Sequence, residues 1–227
     1  MPCGLCGDII PAEVTRCPGC GAWARRRDFR ALGIGVFMLL GFNAFMALGS
    51  GISLIRLVRP LASVPQDSYD EAVTARTLAP YADVFVISQV LAGVTGVLFL
   101  CWLWRAYGQA EGWISRGRSW VVLGWFLPIA NLWIPPRLVH EIWAASGRFH
   151  ILQRHRFGAL VTAWWVTVLS SVLLMEGFGA ADTETLGDAL LAVHLGIAGA
   201  ATLALAATLC MALVFQITRL QAGHPED

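Results

Sequence analysis

Lysine is absent from the 227-residue chain; all sixteen basic side chains are arginine. Recognition chemistry has no reason to exclude lysine at every position, so the absence reads as a bias of the coding background. Charge of either sign is scarce, with charged residues at 14% where a soluble domain carries about a quarter. The net charge of +1 brings no bulk attraction to nucleic acid, and none is expected as a partner. No cleavable leader is expected either: the first thirty residues hold cysteines, prolines and arginines in place of an apolar run and a small-residue cleavage site. The first hydrophobic segment is therefore expected to stay as an anchor. No Ser/His/Asp set, Gly-rich phosphate loop or pair of catalytic carboxylates stands out, so no catalytic residue is assigned.

What the chain does have is apolar length. Hydrophobic residues make up 57% and the mean hydropathy is +0.64, beyond what a soluble core of this size needs. The expected fold class is an all-α integral membrane protein with four transmembrane helices. Spans are read at 31–57, 84–104, 157–175 and 189–217, within a membrane domain over 31–220 and before a frayed polar tail from Thr218. Each is long enough for a hydrocarbon core of about 30 Å, which takes about 20 helical residues. Gly33, Gly35, Gly41, Gly49 and Gly51 give the first span a small-residue face for close helix approach. Two capping signatures stand outside the spans: Ser68 to Glu71, opening a short helix to about Leu78, and Thr185 to Asp188, opening the last span.

Residues 1–24 read as a zinc ribbon, joined by a basic linker at 25–30. Cys3-Gly-Leu-Cys6-Gly and Cys17-Pro-Gly-Cys20-Gly are two knuckles whose four thiolates suit one tetrahedral, structural Zn²⁺. The following glycines, Gly7 and Gly21, let the backbone turn back over the sulfurs. Two disulfides are the alternative, but they require an oxidising compartment. Four sulfur ligands leave no open coordination position, which argues against catalysis at the metal.

The segment 119–146 is harder to place. It is apolar enough to enter a bilayer, yet Pro128, Pro135 and Pro136 interrupt it and Asn131 lies inside it. From Trp120 to Ile134 there are too few residues for a crossing. After Pro136, expected at the first helical position, Leu138, Val139, Ile142 and Trp143 share one face of an amphipathic helix. If the segment returns to the side it left, thirteen arginines lie on the side of the N-terminus and three on the other. If it crosses, the tally is eight against eight and the bias disappears. The positive-inside rule therefore favours four spans, a re-entrant or interfacial segment, and both termini in the cytoplasm.

The run Trp125-Phe126-Leu127-Pro128-Ile129-Ala130-Asn131-Leu132-Trp133-Ile134-Pro135, followed by Glu141-Ile142-Trp143, resembles a bacterial four-helix membrane family catalogued as domain of unknown function 4328. The likeness covers roughly residues 84–217 and implies the architecture. It implies no activity, since the family brings none.

The polar residues within the apolar zone are each weighed against a structural role. Asn43 lies mid-span, where an interhelical hydrogen bond is the plain reading. Glu176 and His194 are expected within reach of one another, as a hydrogen-bonded pair or as a proton-linked site. His140-Glu141 begins like HExxH, but Ala144 stands where the second His belongs, which rejects a zincin. Arg148, Arg154 and Arg156 are placed to contact lipid headgroups. Asn131, Asn43 and Glu141 are the residues that would face a polar path if the broken segment lined a cavity. The leading reading is a non-catalytic membrane scaffold or sensor of the bacterial inner membrane. Its zinc ribbon would contact a cytosolic protein partner, and a homo-oligomer is admitted. A small transporter or channel-like protein is the first alternative, and an intramembrane enzyme the second.

Overall fold

The computed structural model describes residues 6–9, 17–20, 30–70, 72, 75–76, 79, 82–110, 114, 117–146, 151–181 and 183–222. Among the described residues seven α-helices carry the fold: α1 (Arg30–Ala62), α2 (Ala82–Ala110), α3 (Trp120–Phe126), α4 (Pro128–Asn131), α5 (Ile134–Ala145), α6 (Ile151–Ala180) and α7 (Leu186–Ala222). Among the described residues there is no strand. α1, α2, α6 and α7 are each long and apolar enough to cross a membrane, which makes this a multi-pass membrane protein.

These helices outrun the spans read from hydropathy. Hydropathy reports the thickness of hydrocarbon, whereas a helix continues wherever its backbone bonds are made. α6 begins at Ile151 and carries Gln153, Arg154, His155 and Arg156 before the apolar zone. α1 continues past Pro60, which sits in its last turn. α7, at 37 residues, extends about 55 Å and includes Thr218 to Ala222, which the sequence assigns to a frayed tail. Gln221 is instead buried.

α7 is the most enclosed of the four and α2 the least. α7 runs antiparallel to α1, and small residues set how closely they approach. A Cβ built on Gly33 would lie 2.7 Å from Thr218 Oγ1, and one on Gly51 would lie 3.3 Å from the Ala200 Cβ. On its other side α7 receives α6: Cβ atoms at Gly196 and Gly199 would meet Phe178 at 3.1 Å and Met175 at 2.8 Å. Of the small-residue face expected on α1, Gly33, Gly41 and Gly51 lie against α7, while Gly35 and Gly49 face open space. Without a hydrophobic drive between helices in lipid, this close van der Waals approach is the main attraction available.

Between α1 and α2 the tie is polar. Asn43 Nδ2 donates to Thr95 Oγ1 at 2.7 Å and to its own-helix Leu39 carbonyl at 2.8 Å. Thr95 Oγ1 donates onward to the Leu91 carbonyl at 2.8 Å, so the half-buried amide satisfies a buried hydroxyl.

At one end of the bundle, Tyr69 donates its hydroxyl to the Thr183 carbonyl at 2.8 Å, joining two loops over a cluster of Leu61, Ala189 and Val193. Thr185 caps α7: the Asp188 N–H donates to Thr185 Oγ1 at 3.2 Å, and that hydroxyl donates to the Asp188 carboxylate at 2.6 Å. The helix expected over 68–78 falls partly outside the described residues; Gln66–Ser68 form a single 3-10 turn.

Candidate functional site: a thiol cluster and a proline-broken hairpin

The first candidate lies ahead of α1. The Sγ atoms of Cys6, Cys17 and Cys20 all lie within 4.8 Å of one another, with Cys6 and Cys17 at 3.4 Å. None of the three is in a disulfide. Cys17 is buried, and the other two are exposed. Gly7 has φ of +80°, the left-handed conformation that lets the first knuckle turn back. The two knuckles lie face to face, because a side chain added at Gly19 would collide with the Asp8 carboxylate. Sulfurs on a tetrahedral zinc, at about 2.3 Å from the metal, sit roughly 3.8 Å apart. Three converging thiols fit that donor set. Cys3, the fourth ligand expected from the spacing, lies outside the described residues.

The second candidate is the segment 119–146, which folds as a helical hairpin. Leu127 adopts an extended conformation (φ −87°, ψ 115°), as the residue before a proline prefers, and this ends α3. Pro128 then opens the single turn α4, where its missing N–H costs no bond. α5 starts at Ile134, two residues earlier than the sequence reading placed it. Pro135 and Pro136 both fit its first turn, whose N–H groups have no partner within the helix. The face formed by Leu138, Val139, Ile142 and Trp143 is buried, as the pattern requires.

Both ends of the hairpin lie at the same end of the bundle. On entry, Arg118 donates from Nη2 to the Trp104 carbonyl of α2 at 3.2 Å, and its guanidinium covers the Trp104 ring at 4.3 Å. On exit, Gln221 Nε2 of α7 donates to Ser146 Oγ at 2.8 Å and to the Ala106 carbonyl at 3.2 Å. The C-terminal turns of α2, α5 and α7 therefore meet at one buried amide. Trp102 Nε1 reinforces this by donating to Thr218 Oγ1 at 3.1 Å.

The tip of the hairpin rests halfway along α6. Trp165 donates its indole N–H to the Leu132 carbonyl at 3.1 Å, which satisfies a turn carbonyl that has no helical partner. Trp125 packs edge-on against Trp165 (5.5 Å, 87°) and Phe99 (5.7 Å, 78°). Nearer the exit, Trp143 stacks on Phe157 at 4.2 Å with ring planes 6° apart. α3 and α5 touch where Gly124 meets Ile134; a Cβ on Gly124 would lie 2.6 Å from Ile134 Cγ2. Trp125 Nε1 and Asn131 Oδ1, both buried in the hairpin, have no hydrogen-bond partner among the described residues.

The remaining residues singled out by the sequence stand apart. Asn43 makes the interhelical bond described above. Glu141 is half-buried on α5. Glu176 and His194 are both exposed, and no bond joins them among the described residues. His194 Nδ1 donates to the Leu190 carbonyl of its own helix at 2.6 Å. Arg154 and Arg156 are exposed on the first turns of α6, while Arg148 lies outside the described residues. Trp165, which the sequence marks only as an interface anchor or packing residue, and Gln221, which it does not mark, tie the hairpin into the bundle. An adjacent Trp164-Trp165 pair in an apolar run was the signal for one; nothing local marked the other.

Residues 65–219, more than half of the chain, match the family described as Domain of unknown function (DUF4328). The chain belongs to that family. No curated protein and no solved structure matches it. The DUF4328 match takes in α2, the hairpin, α6 and α7, and begins after α1. It therefore reaches further towards the N-terminus than the likeness over 84–217, and it leaves out both α1 and the thiol cluster.

Proposed function

We propose that this DUF4328 protein is a non-catalytic membrane scaffold or sensor: four spans fixed by a re-entrant hairpin, and a zinc-binding head that contacts a cytosolic partner. The observation that carries the head is the convergence of the Cys6, Cys17 and Cys20 thiols, with Cys3 as the fourth ligand implied by spacing. A closed set of sulfur ligands holds a fold together and leaves no coordination position for a substrate. Support for the re-entrant reading comes from the two hairpin ends, which share one end of the bundle, and from the arginine bias. Together they support a head and both termini on the cytoplasmic side of a bacterial membrane.

Metal analysis of the purified full chain tests the head. One zinc per chain is expected, and Cys17→Ser should release it while the spans still insert; zinc retained by that variant refutes the assignment. Sidedness is read separately from tags placed at His150 and at residue 182. An external His150 with an internal 182 would show that the segment crosses.

A second reading, a small transporter or channel, rests on Asn131, whose buried carboxamide oxygen has no hydrogen-bond partner among the described residues at the hairpin tip. Such an atom in a membrane interior is expensive unless water or solute reaches it. Solute flux into liposomes that vanishes with Asn131→Leu supports this reading, and flux unaffected by that change removes it.

A further inference from the structure

On its outer side the hairpin tip presents an open groove of about 720 Å³, lined by Leu127, Pro128, Ile129, Trp133 and Ile134 among others. One cationic side chain shares it: Arg137, on the first turns of α5. Ile129 is 80% exposed and Trp133 59%, so the apolar part faces whatever surrounds the bundle.

Depth can be followed along the packed helices. The His140 ring lies against the start of α6, with its centroid 6.3 Å from that of Phe157. Arg156, immediately before Phe157, closes the polar stretch that begins α6. Arg137 precedes His140 by three residues, so it lies about 4.5 Å further towards the tip. The tip itself meets Trp165, nine residues or about 13 Å beyond Arg156. Arg137 thus sits roughly a turn inside the apolar zone, on the exposed side of α5. Neither a hydrogen bond nor an ion pair holds its guanidinium among the described residues.

A guanidinium at that depth needs an anion, and among the described residues none is bonded to it. The groove next to it offers only apolar walls. One molecule meets both demands: an amphiphile whose acyl chain fills the groove and whose anionic head reaches Arg137. We infer that the hairpin tip of this protein binds one anionic phospholipid of the bilayer, its phosphate on Arg137 and one chain along Leu127 to Ile134. The site is distinct from the general headgroup attraction of Arg154 and Arg156, since it combines a single cation with a shaped apolar wall. It rests on the reading that the hairpin enters the bilayer.

The experiment uses the full chain released from nanodiscs of equal parts phosphatidylglycerol and phosphatidylcholine, with retained lipids counted by native mass spectrometry. One phosphatidylglycerol should be retained with a preference of about fivefold, the value of about 1 kcal/mol for one arginine near a membrane surface. Arg137→Gln should remove the preference, and Arg137→Lys should keep most of it, which separates charge from folding. Equal retention of both lipids by the unaltered chain, or a preference that survives Arg137→Gln, overturns the site. In parallel, quenching by brominated acyl chains is measured before and after Trp133→Phe. A Trp133 contribution that no brominated lipid quenches places the tip outside the bilayer and overturns the hairpin reading together with the site. Quenching of Trp133 without headgroup preference overturns the lipid site alone.

Discussion

The contact between Gly124 and Ile134 closes the hairpin, and a methyl group added there tests whether the closure is as tight as its geometry. In Gly124→Ala the new Cβ would lie 2.6 Å from Ile134 Cγ2 and 3.1 Å from Ile134 Cβ. Carbon atoms rest at about 3.5–4.0 Å, so the first contact is short by roughly 1 Å. The obstructing group is the β-branched stem of a residue in the first turn of α5, which has no free rotor to swing away. Overpacking of this kind costs about 1–3 kcal/mol. Alanine in place of glycine within a helix works the other way, by up to about 1 kcal/mol. The net effect in the unaltered background is therefore a loss of up to about 2 kcal/mol. In an Ile134→Ala background the obstruction is gone, and Gly124→Ala should become neutral or stabilising. A double-mutant cycle isolates the collision as a coupling energy of about 1–3 kcal/mol. Unfolding of the purified variants in mixed micelles, followed by tryptophan fluorescence, provides the four free energies. If the two substitutions add to within about 0.5 kcal/mol, the helices of the hairpin are not in contact at this point and its described closure is wrong.

Two further outcomes follow from single bonds. Thr95→Val removes the acceptor of the Asn43 amide while preserving shape, and should destabilise the α1–α2 contact by about 0.6 kcal/mol, with about 1.7 as a ceiling; unchanged unfolding in the same micelles would mean that the bond contributes nothing. Thr185→Ala deletes the cap of α7 and should cost about 1 kcal/mol, read as faster amide exchange confined to the residues after Leu186, whereas uniform exchange along α7 would contradict a local cap.

The four long helices were legible because twenty apolar residues in a row admit few other structures. Their ends were not. The Gln153–Arg156 stretch is helical although it is polar, and Pro60 is tolerated because it falls in a last turn. The break at Pro128 could be read from the chain, since the residue before a proline leaves the helical region and Leu127 does. The partners of the broken segment could not. Trp165 lies 33 residues from the carbonyl it serves, and Gln221 lies 75 residues from Ser146. No periodicity links such positions. The knuckle spacing points to four thiolates in one place, because each CxxC confines two sulfurs to one turn; among the described residues the sulfurs of Cys6, Cys17 and Cys20 lie together. The pairing of Glu176 with His194 was inferred from nearness along the membrane normal alone, and helix rotation leaves both side chains facing outward.

The enclosed position of α7 has a bearing on biogenesis. Of the four apolar helices it emerges last from the ribosome, yet it furnishes the partner surface for α1 and α6 and the amide that clasps the hairpin. Until it enters the bilayer, α1 and α6 have lipid in place of their main neighbour, whereas α2 already has α1 beside it. Closure of the bundle around α7 is thus a late event, set by the last insertion step.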